Sequence, residues 1–156
     1  MAAYGTFVDG VSLKAAEVNN FLVWTSFTPV LKQNVTVGIS TSFKIAEYAQ
    51  VNKLVVVIFS FRVANGQAGT ANNAIQIDLP VTASSASMRV IGRAWLKDIS
   101  TTDSILAVPV LNSTTTFRFL ANAGTSLTSY VGLTGAPTLT LEQQDSMQGY
   151  LIYEAA

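Results

Sequence analysis

Histidine and cysteine are both absent from these 156 residues, so acid–base and metal chemistry falls first to nine carboxylates: Asp9, Glu17, Glu47, Asp78, Asp98, Asp103, Glu142, Asp145 and Glu154. Two carboxylates meeting across a cleft can hydrolyse a glycosidic bond, one as acid and the other as base or nucleophile. Their spacing in the chain neither requires nor forbids such a pair, and ordinary surface positions account for each of them. Asp98 and Asp103 flank the polar stretch Ile99-Ser100-Thr101-Thr102. Their oxygens would suit a hard cation if carbonyls converged there, but no EF-hand spacing is present and capping of a turn is the simpler use. Without histidine there is no central base for a Ser–His–Asp system. No phosphate loop or dinucleotide fingerprint occurs. The reading is therefore of a protein that is not an enzyme, with no catalytic, metal-binding or cofactor-binding residues and no cofactor.

Charge narrows the classes further. Nine basic residues balance nine acidic ones, and only 12 % of the chain is charged, against roughly 25 % in an average soluble domain. That balance lacks the basic footprint needed to neutralise phosphates, so nucleic acid is not an expected partner. The longest apolar run, Leu54–Phe59, falls far short of the ~20 residues of a spanning helix, and no membrane insertion is expected. Met1–Gly10 has neither the basic start nor the apolar stretch of a signal peptide. A neutral, sparsely charged monomer risks association. A chain that buries its surface against copies of itself or a larger particle does not need those charges.

The elements follow from periodicity. Residues 1–28 read as an extended arm and an anchoring helix, and residues 29–156 as the β domain. Ser12 suits the cap of a short helix beginning at Leu13, with Ala15, Val18 and Leu22 near helical spacing and Phe21 beside them. A helix of about three turns is marginal alone in water and needs a surface to lie on. From Trp24 the period becomes two. Strands are expected over Val35–Ser40, Phe43–Gln50, Leu54–Val63, Ala74–Leu79, Met88–Leu96, Ser104–Leu111, Thr114–Ala121 and Met147–Glu154, separated by turn signals such as Val51-Asn52-Lys53, Asn65-Gly66 and Asn112-Ser113. So many short strands suggest a sandwich or a closed barrel. The expected fold is mostly β: an antiparallel jelly-roll-like β-sandwich of about eight strands, preceded by the arm and short helix.

One strand carries more information than the others. Val55, Val57, Phe59, Phe61 and Val63 share a face that suits a core. The other face begins Leu54, Val56, Ile58 before turning to Ser60 and Arg62, and three aliphatic residues there call for a cover, which another region of the sheet, the amino-terminal segment or another subunit would supply. Val56, Ile58 and Arg62 are the expected subunit-interface residues, with Arg62 at the polar rim. Among the aromatics, Trp95 suits core packing and Trp24 the junction with the amino-terminal segment. Tyr130, within the long glycine-containing stretch from Asn122 to Pro137, is the candidate for a ligand-contact loop.

Several short segments together resemble a family of bacteriophage virion proteins that includes capsid-decoration proteins, head fibres, and tail-fibre or minor-tail modules. The leader Asp9-Gly10-Val11-Ser12-Leu13-Lys14-Ala15-Ala16-Glu17-Val18-Asn19 is similar to that family's leader, and Trp24-Thr25-Ser26-Phe27-Thr28-Pro29 to the segment that follows it. Ala46–Val55, Ala74–Pro80 and the terminal Leu151–Ala156 extend the likeness. The resemblance implies a virion β-sandwich and host attachment or particle assembly as its role. It also implies a homo-oligomer, favouring a trimer, with major capsid or tail proteins as partners and a bacterial surface glycan as a further one. The expected location is the virion surface, on capsid or tail, after assembly in the host cytoplasm. Phe21 and Leu22 are the expected particle-anchoring residues.

Overall fold

The computed structural model describes residues 23–33, 38–85, 90–121, 129–131 and 139–156. Eleven strands run through them: β1 (Thr25–Ser26), β2 (Leu31–Lys32), β3 (Gly38–Ile39), β4 (Thr41–Val51), β5 (Leu54–Val63), β6 (Gln76–Asp78), β7 (Ile91–Lys97), β8 (Ser104–Leu111), β9 (Thr116–Ala121), β10 (Ser129–Tyr130) and β11 (Ser146–Glu154). All belong to a single antiparallel sheet, in the order β1-β4-β5-β11-β7-β8-β9-β6-β2-β3, with β10 added beside β9. The expected two-sheet jelly-roll sandwich is therefore wrong: the domain is one sheet curled into an open half-barrel. No helix occurs among the described residues. The helix expected from Leu13 falls on residues 13–22, outside them, and Val23 is irregular.

The curl can be read from aromatic contacts. β5 and β9 are separated by β11, β7 and β8, so a flat sheet would hold them roughly 19 Å apart at about 4.8 Å per strand. Yet the Phe59 ring on β5 lies 5.5 Å from Phe117 and 6.0 Å from Phe119 on β9, centroid to centroid. Only a sheet bent over itself brings these side chains together. The inner face is thereby a closed core, with Val55, Val57, Phe61, Leu96, Leu151 and Ile77 all buried. Hydrophobic burial and the dispersion contacts of the rings drive this closure.

Alternation assigns the two faces of each strand. In β5 the burial pattern switches residue by residue from exposed Leu54 to buried Val63, as period two demands. Pro109 lies within β8. It has no N–H to give, and the β7–β8 ladder has already ended two residues before it, at Ala107. Asn52 takes a left-handed conformation, φ 52°, in the tight β4–β5 connection, which asparagine tolerates better than most residues.

Polar groups hold the ends of the curl. Residues Leu79–Ser85 run from the start of β9 to the end of β11: Leu79 and Ala83 donate their N–H groups to Thr115 and Thr114, while Ser84 donates to Glu154 and Ala156 to Thr82. Tyr153, buried on β11, fastens this strap by donating its hydroxyl to the Val81 carbonyl at 2.7 Å and accepting the Val81 N–H at 3.3 Å. Gln33, fully buried after β2, acts as a short piece of strand. Its Nε2 donates to the Leu139 carbonyl at 2.5 Å and its Oε1 accepts the Leu141 N–H at 2.7 Å.

Burial raises the Tyr153 hydroxyl above its ordinary value of 10.0, against the lowering effect of its bond to Val81 and with a smaller contribution from Tyr48. The unfolded chain ionises this tyrosine first, so folding stability falls as pH rises above about 10, by up to about 1.4 kcal/mol per pH unit from this group. Urea titrations across that range will show the decline in the native protein and its absence in Tyr153→Phe. At Gly149, a Cβ would sit 2.9 Å from Phe59 Cζ and from the Ala94 Cα of β7, with the Arg93 carbonyl oxygen closer still. Gly149→Ala is expected to cost about 1–3 kcal/mol by overpacking; unchanged thermal stability would contradict this account of the packing.

Candidate functional site

The described carboxylates are dispersed, and Asp78, Asp98 and Asp145 have structural roles. Asp78 pairs with Lys32 at 3.3 Å. Asp98 caps the β7–β8 turn: its Oδ1 accepts the Ser100 N–H at 2.8 Å, the Ser100 hydroxyl at 2.7 Å and the Thr101 N–H at 3.2 Å. Desolvation alone would raise its pKa, but the bonds from Ser100 and Thr101 together outweigh it and hold the group lowered. Asp103 and Glu142 are exposed, and Glu154 is exposed on the outside of β11. Asp9 and Glu17 lie outside the described residues. Among the described residues, no three acidic groups are placed to hold a metal ion.

Asp145 differs from the rest and was not singled out by its sequence context. It is buried beside β11, where Oδ1 accepts the Ile99 N–H at 2.9 Å and Oδ2 the Glu142 N–H at 2.8 Å. One carboxylate thus ties the β7–β8 turn to the turn that precedes β11. Burial pushes its pKa up; the two N–H donors oppose that, and nearby Asp98 and Glu142 add to it. The only cue in the chain is an aspartate closing a polar four-residue turn, a pattern too common to mark it.

The outer face of the sheet is where unassigned surface gathers. β4, β5, β11 and β7 lie side by side and form one wall. Val56 and Ile58 are half-buried on its outside and Arg62 is exposed. Ile152 and Tyr150 of β11 stand beside Val56 and Ile58, and Ile91 and Arg93 of β7 stand beside those. Ile91 is 68 % exposed, and Leu54, Trp95, Leu106, Tyr150 and Ile45 are each between 44 and 53 % exposed. Trp95 is therefore not the core residue its strand position suggested: it shares the parity of Ile91 and Arg93, which point away from the core.

Phe21 and Leu22 lie outside the described residues. Tyr130 is in β10, paired with Leu120 of β9, so its backbone is part of the sheet and not of a free loop; its side chain is outside what is described. Phe27 is half-buried and meets Tyr48 edge-on at 5.9 Å. Trp24, 43 % exposed, precedes β1. The sequence pointed to the second face of β5. It did not reveal that β11 and β7 extend that face on the same side.

Comparison with protein-family models, with curated proteins and with solved structures finds no match to this chain.

Removing the Asp145 side chain leaves two backbone N–H groups without their acceptor. Asp145→Ala is expected to lose about 1–3 kcal/mol or more of stability, with Asp145→Asn, which keeps one acceptor, falling between it and the native protein. Thermal unfolding, together with faster amide exchange at Ile99, will check this; native-like stability in both variants would refute the clamp.

Proposed function

We propose that this chain is a structural surface protein of a bacteriophage particle, self-associating and docking on the particle as capsid decoration or a head fibre, by binding and without turnover. The observation that carries this reading is the outer wall, where Ile91, Trp95, Tyr150 and Leu54 present apolar surface to solvent. Contiguous exposed apolar surface of this kind is typical of interaction sites. The low charge and zero net charge support the same reading, because both are tolerable in a chain whose surface is largely covered. The likeness of Asp9–Asn19 and Trp24–Pro29 to phage virion leaders supports the location. In this reading Val56, Ile58 and Arg62 belong to the subunit contact, and Phe21 and Leu22 to the attachment to the particle.

A tail-fibre or minor-tail module that binds a bacterial surface glycan is the second reading. It is favoured by the exposure of Trp95 and Tyr150 on adjacent strands, since aromatic rings with polar neighbours suit sugar stacking.

Electron cryomicroscopy of intact particles is the decisive measurement. The half-barrel is expected at a fixed position on the capsid surface, and Phe21→Ala/Leu22→Ala is expected to fold normally yet lose incorporation. Density at the tail tip with saturable glycan binding would favour the second reading. Purified particles that lack the chain would overturn both.

A further inference from the structure

Register fixes the outer wall as a grid. Its central row runs Glu47, Ile58, Tyr150, Arg93 across β4, β5, β11 and β7. On one side lies the row Ala49, Val56, Ile152, Ile91, all apolar, with Ala49 already buried within the protein. On the other lies Ile45, Ser60, Gln148, Trp95, with apolar ends and an amide and a hydroxyl at its centre. Opposite charges thus stand at the two ends of one row, three strands apart, and no ion pair within the described residues satisfies either.

We propose that this wall is self-complementary and seats a second copy of the chain, the two walls stacked face to face about a two-fold axis parallel to the strands. The inference rests on the reading of the chain as a self-associating protein and specifies how it would associate. Such an axis lays β4 over the partner's β7 and β5 over the partner's β11 while keeping each row opposite itself. Glu47 then meets Arg93 of the partner subunit and Arg93 meets Glu47 of the partner subunit. Ile58 faces the partner's Tyr150, and Val56 the partner's Ile152. Ser60 meets the partner's Gln148, so the polar centre of that row is paired as well. An isologous contact requires this kind of correspondence, residue i to j and j to i.

The charges also select the axis. A two-fold running across the strands would set Glu47 against the partner's Glu47 and Arg93 against the partner's Arg93, and like-charge contacts of this kind work against association. Glu47 and Arg93 occupy the outer columns, where their long side chains can span the roughly 10 Å between stacked sheets. Four strands of about 30 Å make a wall about 19 Å wide, so flat walls would bury roughly 1,200 Å² in total and the curved ones less, a contact at or below the lower end of stable specific interfaces. The outward curve makes the contact tightest along β5 and β11. The product is a sandwich whose second sheet comes from another molecule, a dimer in place of the trimer implied by the leader's resemblance.

Sedimentation of the purified full chain tests this. A species of twice 16.6 kDa is expected. Glu47→Arg alone and Arg93→Glu alone should each weaken association by roughly tenfold or more, since each replaces two attractive contacts with two repulsive ones, and the double variant should restore it. Circular dichroism on the same samples confirms folding. A monomeric or trimeric native chain, single variants that associate normally, or a double variant that stays dissociated would each overturn the arrangement. A native chain that stays monomeric yet is incorporated into particles would overturn it and leave the docking reading standing. Charge-swap rescue in a chain missing from particles would support it and overturn the docking reading.

Discussion

The contact between Phe59 and the pair Phe117 and Phe119 is the constraint on which the domain depends. Those residues belong to strands four positions apart in one sheet, and their rings meet at 5.5 and 6.0 Å. Phe117 and Phe119 also meet edge-on, 5.5 Å apart, the arrangement that aromatic quadrupoles favour. Packing of this density forces the sheet to curl, and the curl in turn makes a single sheet sufficient to enclose a core. Space has to be left for it. Gly149 on β11 carries no side chain where the Phe59 ring passes over it, so a glycine in mid-strand, ordinarily a weakness, is what allows the largest residues to close the inside.

A curled sheet without a second layer has ends that would open, and the chain spends its buried polar groups there. Tyr153 and Asp145 sit at opposite ends of the β11 region. The first fastens the strap at Val81; the second joins two turns through Ile99 and Glu142. Gln33 performs a related task for Leu139 and Leu141. In each case a side chain satisfies backbone groups that no strand reaches, which matters because an unpaired buried backbone group costs about as much as a lost hydrogen bond. These three residues are structural fasteners. They explain how a domain with few charges keeps an irregular periphery in place.

Much of the strand layout was legible from period two alone. Leu54–Val63 and Ser104–Leu111 have the bounds that their alternation suggested, and Thr41–Val51, Ile91–Lys97 and Ser146–Glu154 differ from expectation by a few residues at their ends. The layer count was not legible. Alternation says that one face of a strand is buried but not what buries it, so a sheet folded over itself and two facing sheets write the same pattern. The two-residue strands β1, β2 and β10 were too short to leave any periodic signal. Asp145 and Gln33 were hidden for a different reason. Gln33 acts through partners far along the chain and Asp145 through one distant partner, Ile99, besides its neighbour Glu142, and nothing local distinguishes a buried aspartate or glutamine from a solvated one.

The second face of β5 was read correctly as unusual, yet its meaning depends on the curl. In a two-sheet sandwich, Val56 and Ile58 could have been covered by the opposing layer of the same chain. In a single curled sheet the inside is already filled by Val55, Val57 and Phe59, and among the described residues no second sheet covers these outward residues. Their register neighbours Ile152, Tyr150 and Ile91 then become part of the same surface instead of separate exposed residues. Half-buried Val56 and Ile58 at the centre, with more exposed Ile91 and Leu54 toward the margins, leave apolar area in water that a further contact would remove. A strand that is apolar on both sides is economical in such a fold: one side closes the domain, and in the proposed assembly the other supplies the contact.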